Sequence, residues 1–213
     1  MARLALLLLA DGRFPAGGHA HSGGLEAAVD DGRVHDVESL AVFLDGRLIT
    51  VGRSDAALAA AVVHRWPDPP WEVLEAEARA RIAPPSVRAA SSALGRQLLR
   101  AARRLWTVAA PDELSHPVAV GAVAAAAGLS ALDAALLAVH HAVTGSAAAA
   151  VRLLGLDPVA VQAVVASLPV DAVAAEAADV AAGPLDGLPG AGLLWADLTA
   201  ERHARKEARL FAS

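Results

Sequence analysis

Apolar positions in this chain recur at helical spacing, and prolines, glycines and capping residues cut that recurrence into short lengths. The opening run from Leu4 to Ala10 predicts a buried first helix. Leu25 to Asp31 predicts a short helix stopped at Gly32, and Asp36 is placed to cap a longer one through Leu40, Phe43, Leu44 and Leu48. Ser54 starts the next, which Pro67 ends, and Trp71 to Ile82 forms another before the Pro84-Pro85 pair breaks it. From Ser86 to Trp106 the periodicity is clearest: Leu94, Leu98, Ala101 and Leu105 share one face, and Arg96, Arg100, Arg103 and Arg104 lie opposite. His116 to Gly128 reads as a small-residue helix, and its glycines make it a candidate for close contact between two copies of the chain. Ser130 with Asp133 forms a capping box for a long helix through His140, His141 and Arg152. Asp157-Pro158 opens another, an acidic helix spans Asp171 to Asp179, and a link from Gly183 to Gly192 leads to a last helix, Leu193 to Arg209.

Long alanine runs with little Ile, Thr or Tyr favour helix over sheet, because alanine loses no side-chain entropy in a helix. The expected fold is therefore all-α: a single helical-bundle-like domain of about ten helices with a flexible C-terminal tail. Residues 1–196 would form the helical domain, and 197–213 a C-terminal helix and partner-docking tail. Hydrophobic residues make up 55% of the chain and mean hydropathy is +0.44, values that suggest a membrane protein. The unbroken apolar runs are nevertheless short beside the roughly 18 to 20 residues of a span, and the opening leucines lack a following cleavage site. With no cysteine there is no disulfide framework and no thiolate chemistry, and the cytoplasm is the expected compartment. A net charge of -5 and 3% aromatic residues argue against nucleic-acid binding.

The densest chemistry lies in Phe14 to Glu26, FPAGGHAHSGGLE, where four glycines and two histidines precede a helix. Clustered glycine is unfavourable unless the backbone must turn through positive φ or something must approach it closely. A phosphate-binding P-loop would need lysine directly after its last glycine, and the only lysine is Lys206. Ala20-His21-Ser22-Gly23-Gly24 resembles a nucleophile elbow, which would make Ser22 the nucleophile of a serine hydrolase. No strand signal precedes it, and Ser22 reads better as a helix N-cap. His19 and His21 are imidazoles suited to nickel, copper or zinc, which keeps a stand-alone nickel-binding protein as an alternative. Two ligands at i, i+2 do not complete a site, so any contact there would be transient, and hydrogen bonding within the loop is the simpler role. His140 and His141 lie about 100° apart on their helix, leaving at most one facing the core.

Two surfaces look made for partners. The arginine stripe offers bidentate donors to a carboxylate-rich protein. At the C-terminus Arg202, Arg205, Lys206 and Arg209 repeat at helical spacing before Leu210 and Phe211, large apolar residues at a position that is usually frayed and polar. Such a segment is expected to order when it docks, with Leu210 and Phe211 as anchors.

Pro15, Gly17, Gly18, His21, Ser22, Gly24, Leu25 and Glu26 resemble the N-terminal signature of the UreF family of urease accessory proteins. The resemblance continues in order through Gly95-Arg96, Leu98-Leu99-Arg100, His116 to Gly128, Ala150 to Leu153 and Arg209 to Ser213, and so spans nearly the whole chain. It implies an all-helical, homodimeric, non-enzymatic chaperone that bridges a UreD (UreH) protein and the GTPase UreG, so that nickel, the cargo rather than a stably bound cofactor, reaches the urease apoprotein. It also implies that the loop (Pro15, Gly17, Gly18, His21, Ser22, Gly24 and Glu26), Arg152 within an A-x-x-R-L pattern, and the tail (Arg209, Leu210 and Phe211) meet partners, and the spacing of Arg202 and Arg205 adds them to the tail surface. Neither nucleic acid nor membrane is among them. The chain departs from the pattern at His19, a usually aromatic place, and at Leu154 to Pro158, where the family has P-L-G-Q.

Overall fold

The computed structural model of the chain describes residues 2–18, 21–190, 199 and 211. Ten α-helices and no strand occur among them: α1 (Ala2–Ala10), α2 (Leu25–Asp30), α3 (Val37–Arg47), α4 (Arg53–His64), α5 (Trp71–Arg81), α6 (Pro85–Ala102), α7 (His116–Ala126), α8 (Ala131–Leu154), α9 (Pro158–Ser167) and α10 (Val170–Ala181). Local chemistry explains several starts. Asp36 and Ser39 form a reciprocal capping box before α3, as Ser130 and Asp133 do before α8, and the Asp157 carboxylate accepts from Val159 N–H ahead of α9. The division at 196/197 and the expected helix from Leu193 to Arg209 lie outside the described residues, apart from Thr199, which is helical and buried.

Helices α4 and α7 form the centre. Ala56 to Val62 and Pro117 to Ala124 are buried without interruption, and α8, α10 and α6 pack around them. Alanine lets these helices approach closely, and two glycines bring them closer. A Cβ on Gly121 would collide with the Ala59 carbonyl and meet the Val62 side chain. One on Gly95 of α6 would run into the Leu114 carbonyl. Close-packed backbones leave such contacts no slack. Gly121 is thus spent inside the molecule and is not available to a second copy, whereas Gly128, past the end of α7, is exposed.

Helix α8 belongs to two cores. Its first half joins the central cluster, while Ala147, Ala149 and Ala150 enter a smaller one with Leu25, Ala28, Val34, Leu40, Leu44, Val161 and Phe211. With 24 residues and a mean hydropathy of 1.5, α8 is long and apolar enough to cross a membrane, a length that unbroken apolar runs understate. Here 61% of its most apolar 18-residue stretch is buried inside the protein.

Four further expectations need correction. Helix α1 is only half buried: Ala5 and Leu9 face α8, while Leu4 and Leu7 are 63% and 68% exposed, because a helix apolar all round can bury only the face it has a neighbour for. No break precedes Ser54; a π-helical turn, Leu48–Gly52, carries α3 into α4 through right-handed backbone at both ends. Helix α6 ends at Ala102, short of Trp106, and its buried face is Ser91, Gly95, Leu98, Leu99 and Ala102, turned from the apolar stripe toward the glycine that admits Leu114. Leu105, expected inside, is 56% exposed. His140 and His141 both face protein, since α1 crosses α8 at the seam between their two rings.

Candidate functional site

The glycine loop is tied down by groups far away in sequence. Ser146 of α8 donates to the Ser22 carbonyl at 2.8 Å. Arg47, the last residue of α3, donates through Nη1 to the Gly23 carbonyl at 2.7 Å and through Nε to the Ala142 carbonyl at 2.6 Å, joining loop to α8. Gly23 has φ +62, and a Cβ there would sit 2.7 Å from the Arg47 guanidinium and 2.8 Å from Ser146 Oγ. A side chain would both strain the turn and displace the clamp. Ser22 is fully buried, and its hydroxyl accepts from Glu26 N–H at 3.3 Å. It therefore satisfies a first-turn donor of α2 from two residues ahead of the geometric N-cap, Gly24. That placement gives an incoming ester no path to the hydroxyl.

In the first turn of α2, Glu26 is only 7% exposed and its carboxylate accepts from Phe211 N–H at 3.0 Å. The Phe211 ring is 4% exposed in the smaller core, and the Arg152 guanidinium lies 4.6 Å from the ring centroid. A residue expected as an anchor for a partner is thus seated in its own chain, beside the end of the glycine loop.

On the loop's other side stand three imidazoles, His116, His140 and His141. His140 and His141 donate from Nε2 to the Ala10 and Leu9 carbonyls at 3.0 and 2.9 Å, supplying donors to the last carbonyls of α1, which has no basic residue in its final turn. The His116 ring centroid lies 5.5 Å from that of His141. Burial pushes the His116 pKa down to about 3, and the His141 and His21 rings push it the same way. Burial likewise lowers His141, with the Leu9 carbonyl partly opposing. The His116 and His141 rings are neutral at physiological pH, and His141 Nδ1 is buried with no hydrogen-bond partner among the described residues. Beneath the clamp, burial raises Asp55 to about 7 against the pull of Arg47.

Of the loop residues singled out in the sequence, Pro15 and Gly18 are exposed and Gly17 abuts the Gln97 side chain of α6. His21, Ser22, Gly24 and Glu26 gather around the start of α2, and Arg152 and Phe211 join them through Glu26. His19, Arg202, Arg205, Arg209 and Leu210 lie outside the described residues. No group of three or more histidines and carboxylates placed to hold a metal ion occurs among the described residues. Sequence reasoning missed Arg47, Ser146 and the packing of His116 on His141. Arg47 carries no local signal, because its partners are 24 and 95 residues away. Ser146 does carry one: it is a lone hydroxyl at the head of an alanine run inside a helix.

A model of the UreF family matches residues 34–169. The urease accessory protein UreF of Mycolicibacterium vanbaalenii is 45% identical over 216 residues, covering 98% of this chain and 97% of that protein. Those of Mycobacterium marinum and Mycobacterium tuberculosis H37Rv are 42% and 40% identical over 220 residues, covering both chains completely. The family model begins after the glycine loop and stops before the tail, but these whole-length relatives cover both.

Proposed function

The chain belongs to the UreF family of urease accessory proteins, and on that premise we propose that it is a non-catalytic adaptor in urease maturation. In this reading it bridges a UreD (UreH)-like protein and the GTPase UreG, works as a homodimer in the cytoplasm, and helps nickel reach the urease apoprotein as cargo. One observation carries the reading: Glu26, at the end of the glycine loop, accepts from Phe211 N–H, so the loop and this one residue of the tail share one end of the molecule. Side-chain hydrogen bonds of Arg47, Ser146 and Glu26, together with a small apolar cluster around Leu25 and Phe211, hold that end. Bonds of this kind contribute about 1 kcal/mol each, so they can be exchanged for bonds to a partner.

The test is light scattering on size-exclusion fractions of this chain, alone and with its cognate UreD-like and UreG-like proteins. A dimer alone and a discrete ternary assembly of defined mass are expected. Separate elution of all three, with and without nickel and GTP, would end the adaptor reading.

A further inference from the structure

Charge is segregated along this chain. Residues 78–111 contain seven arginines and no aspartate or glutamate, leaving eleven of the eighteen basic residues against all twenty-three acidic ones elsewhere. Three of the seven are used internally. Arg81 binds the Glu77 carboxylate and the Leu188 and Pro189 carbonyls, Arg88 binds the Ile82 and Ala83 carbonyls at the end of α5, and Arg103 binds Asp112 and the Ala110 carbonyl. Arg103, part of the stripe expected from the sequence, is thereby withdrawn from it.

Arg96, Arg100 and Arg104 are exposed, and their side chains make no hydrogen bond or ion pair with the described residues. Arg96 and Arg100 stand one turn apart on the outer face of α6, and Arg104 comes next, in the turn beyond its end. Leu105 extends the row as an exposed apolar side chain, with Trp106 half-buried beside it. At the other end Gln97 abuts Gly17, so the row reaches the edge of the glycine loop.

We propose that this row is a docking surface for a protein that presents carboxylates one helical turn apart. Guanidinium groups pair with carboxylates bidentately, and a pitch of about 5.4 Å on α6 matches the same pitch on an acidic helix. Like charges repel along the row while it is free, and an acidic partner relieves that repulsion. The end of the row at Leu105 and the half-buried Trp106 suits a protein, since tryptophan and arginine are enriched in interface hot spots. A long polyanion fits less well. The rest of the chain carries twenty-three acidic residues against eleven basic ones, a balance that opposes a long polyanion. The inference adds a third surface to the adaptor reading and rests on that reading only for the identity of the partner.

The direct test titrates the full chain into a labelled helical peptide bearing glutamates at i, i+4 and i+8 with a leucine one turn beyond. Binding should weaken at least tenfold in the triple variant Arg96→Gln, Arg100→Gln, Arg104→Gln at an unchanged melting temperature, and should fade as salt rises. Failure of the wild type to bind the peptide, equal binding by the triple variant, or equally tight binding of a short duplex DNA would each overturn the proposal. In a second arm the same variant meets the cognate UreD-like and UreG-like proteins. A wild type that joins neither counts against the adaptor reading alone, whereas a triple variant that joins both at wild-type strength counts against the arginine surface.

Discussion

The α4–α7 centre and the loop-and-tail end of this molecule are held by different physics. At the centre, alanines and Gly121 let backbones touch, so the geometry is set by what is missing from the side chains. At the other end, Arg47, Ser146, Glu26 and Arg152 reach across to backbone groups and one ring, so the geometry is set by what the side chains add. The first kind of contact fails all at once when a methyl is inserted. The second can open bond by bond, which suits a surface that changes partners.

The largest effect is expected from Gly121→Val. Its Cβ has no room against Ala59 and Val62, and the variant should lose at least about 3 kcal/mol in urea denaturation or fail to fold. A loss under 1 kcal/mol would mean that the centre is looser than its backbones suggest. Arg47→Met should cost about 2 kcal/mol, by orphaning the Gly23 and Ala142 carbonyls, and hydrogen exchange should speed up in residues 21–30 while α4 and α7 stay protected. Loss of protection in α7 would erase the distinction between the two regions.

Acid probes the seam between them. His116, held near 3 in the fold, takes its proton near 6.5 when unfolded, so its contribution is complete above pH 6.5 and falls by about 1.4 kcal/mol per unit as pH drops toward 3. His141 acts in the same direction. Asp55 opposes them: its folded pKa of about 7 makes its contribution complete below the ordinary 3.8 and lost as pH rises through 7. Stability should therefore decline from pH 6.5 to 4, and Asp55→Asn should steepen the decline. Denaturation midpoints at pH 7.5, 6 and 5 would check both slopes, and a flat profile would show the imidazoles to be hydrated. The smallest effect belongs to Arg152→Ala, below about 1 kcal/mol for one cation–π contact. Carboxypeptidase should nevertheless trim past Phe211 faster in that variant, and unchanged trimming would show that Glu26 and the apolar socket hold the ring alone.

Most helix boundaries were legible because their causes are local. Asp36, Ser130 and Asp157 cap α3, α8 and α9, and Gly32 stops α2, through hydrogen bonds that span two to four residues. The glycine loop was legible as a functional segment for a similar reason: its composition is improbable for packing alone. The clamp that holds it was not, since Arg47 looks like any basic residue at a helix end.

Periodicity, capping chemistry and alanine content thus settled the all-α fold and nearly the whole order of helices, because each depends on neighbours within a turn or two. Tertiary structure alone decided which apolar faces were covered: Leu7 and Leu105 stayed outside, α7 went to the centre, and Phe211 was seated on Glu26. An apolar side chain is equally unfavourable in water wherever it stands in the sequence. Its burial depends on which helix arrives against it, and that is fixed by contacts between residues tens to nearly two hundred positions apart.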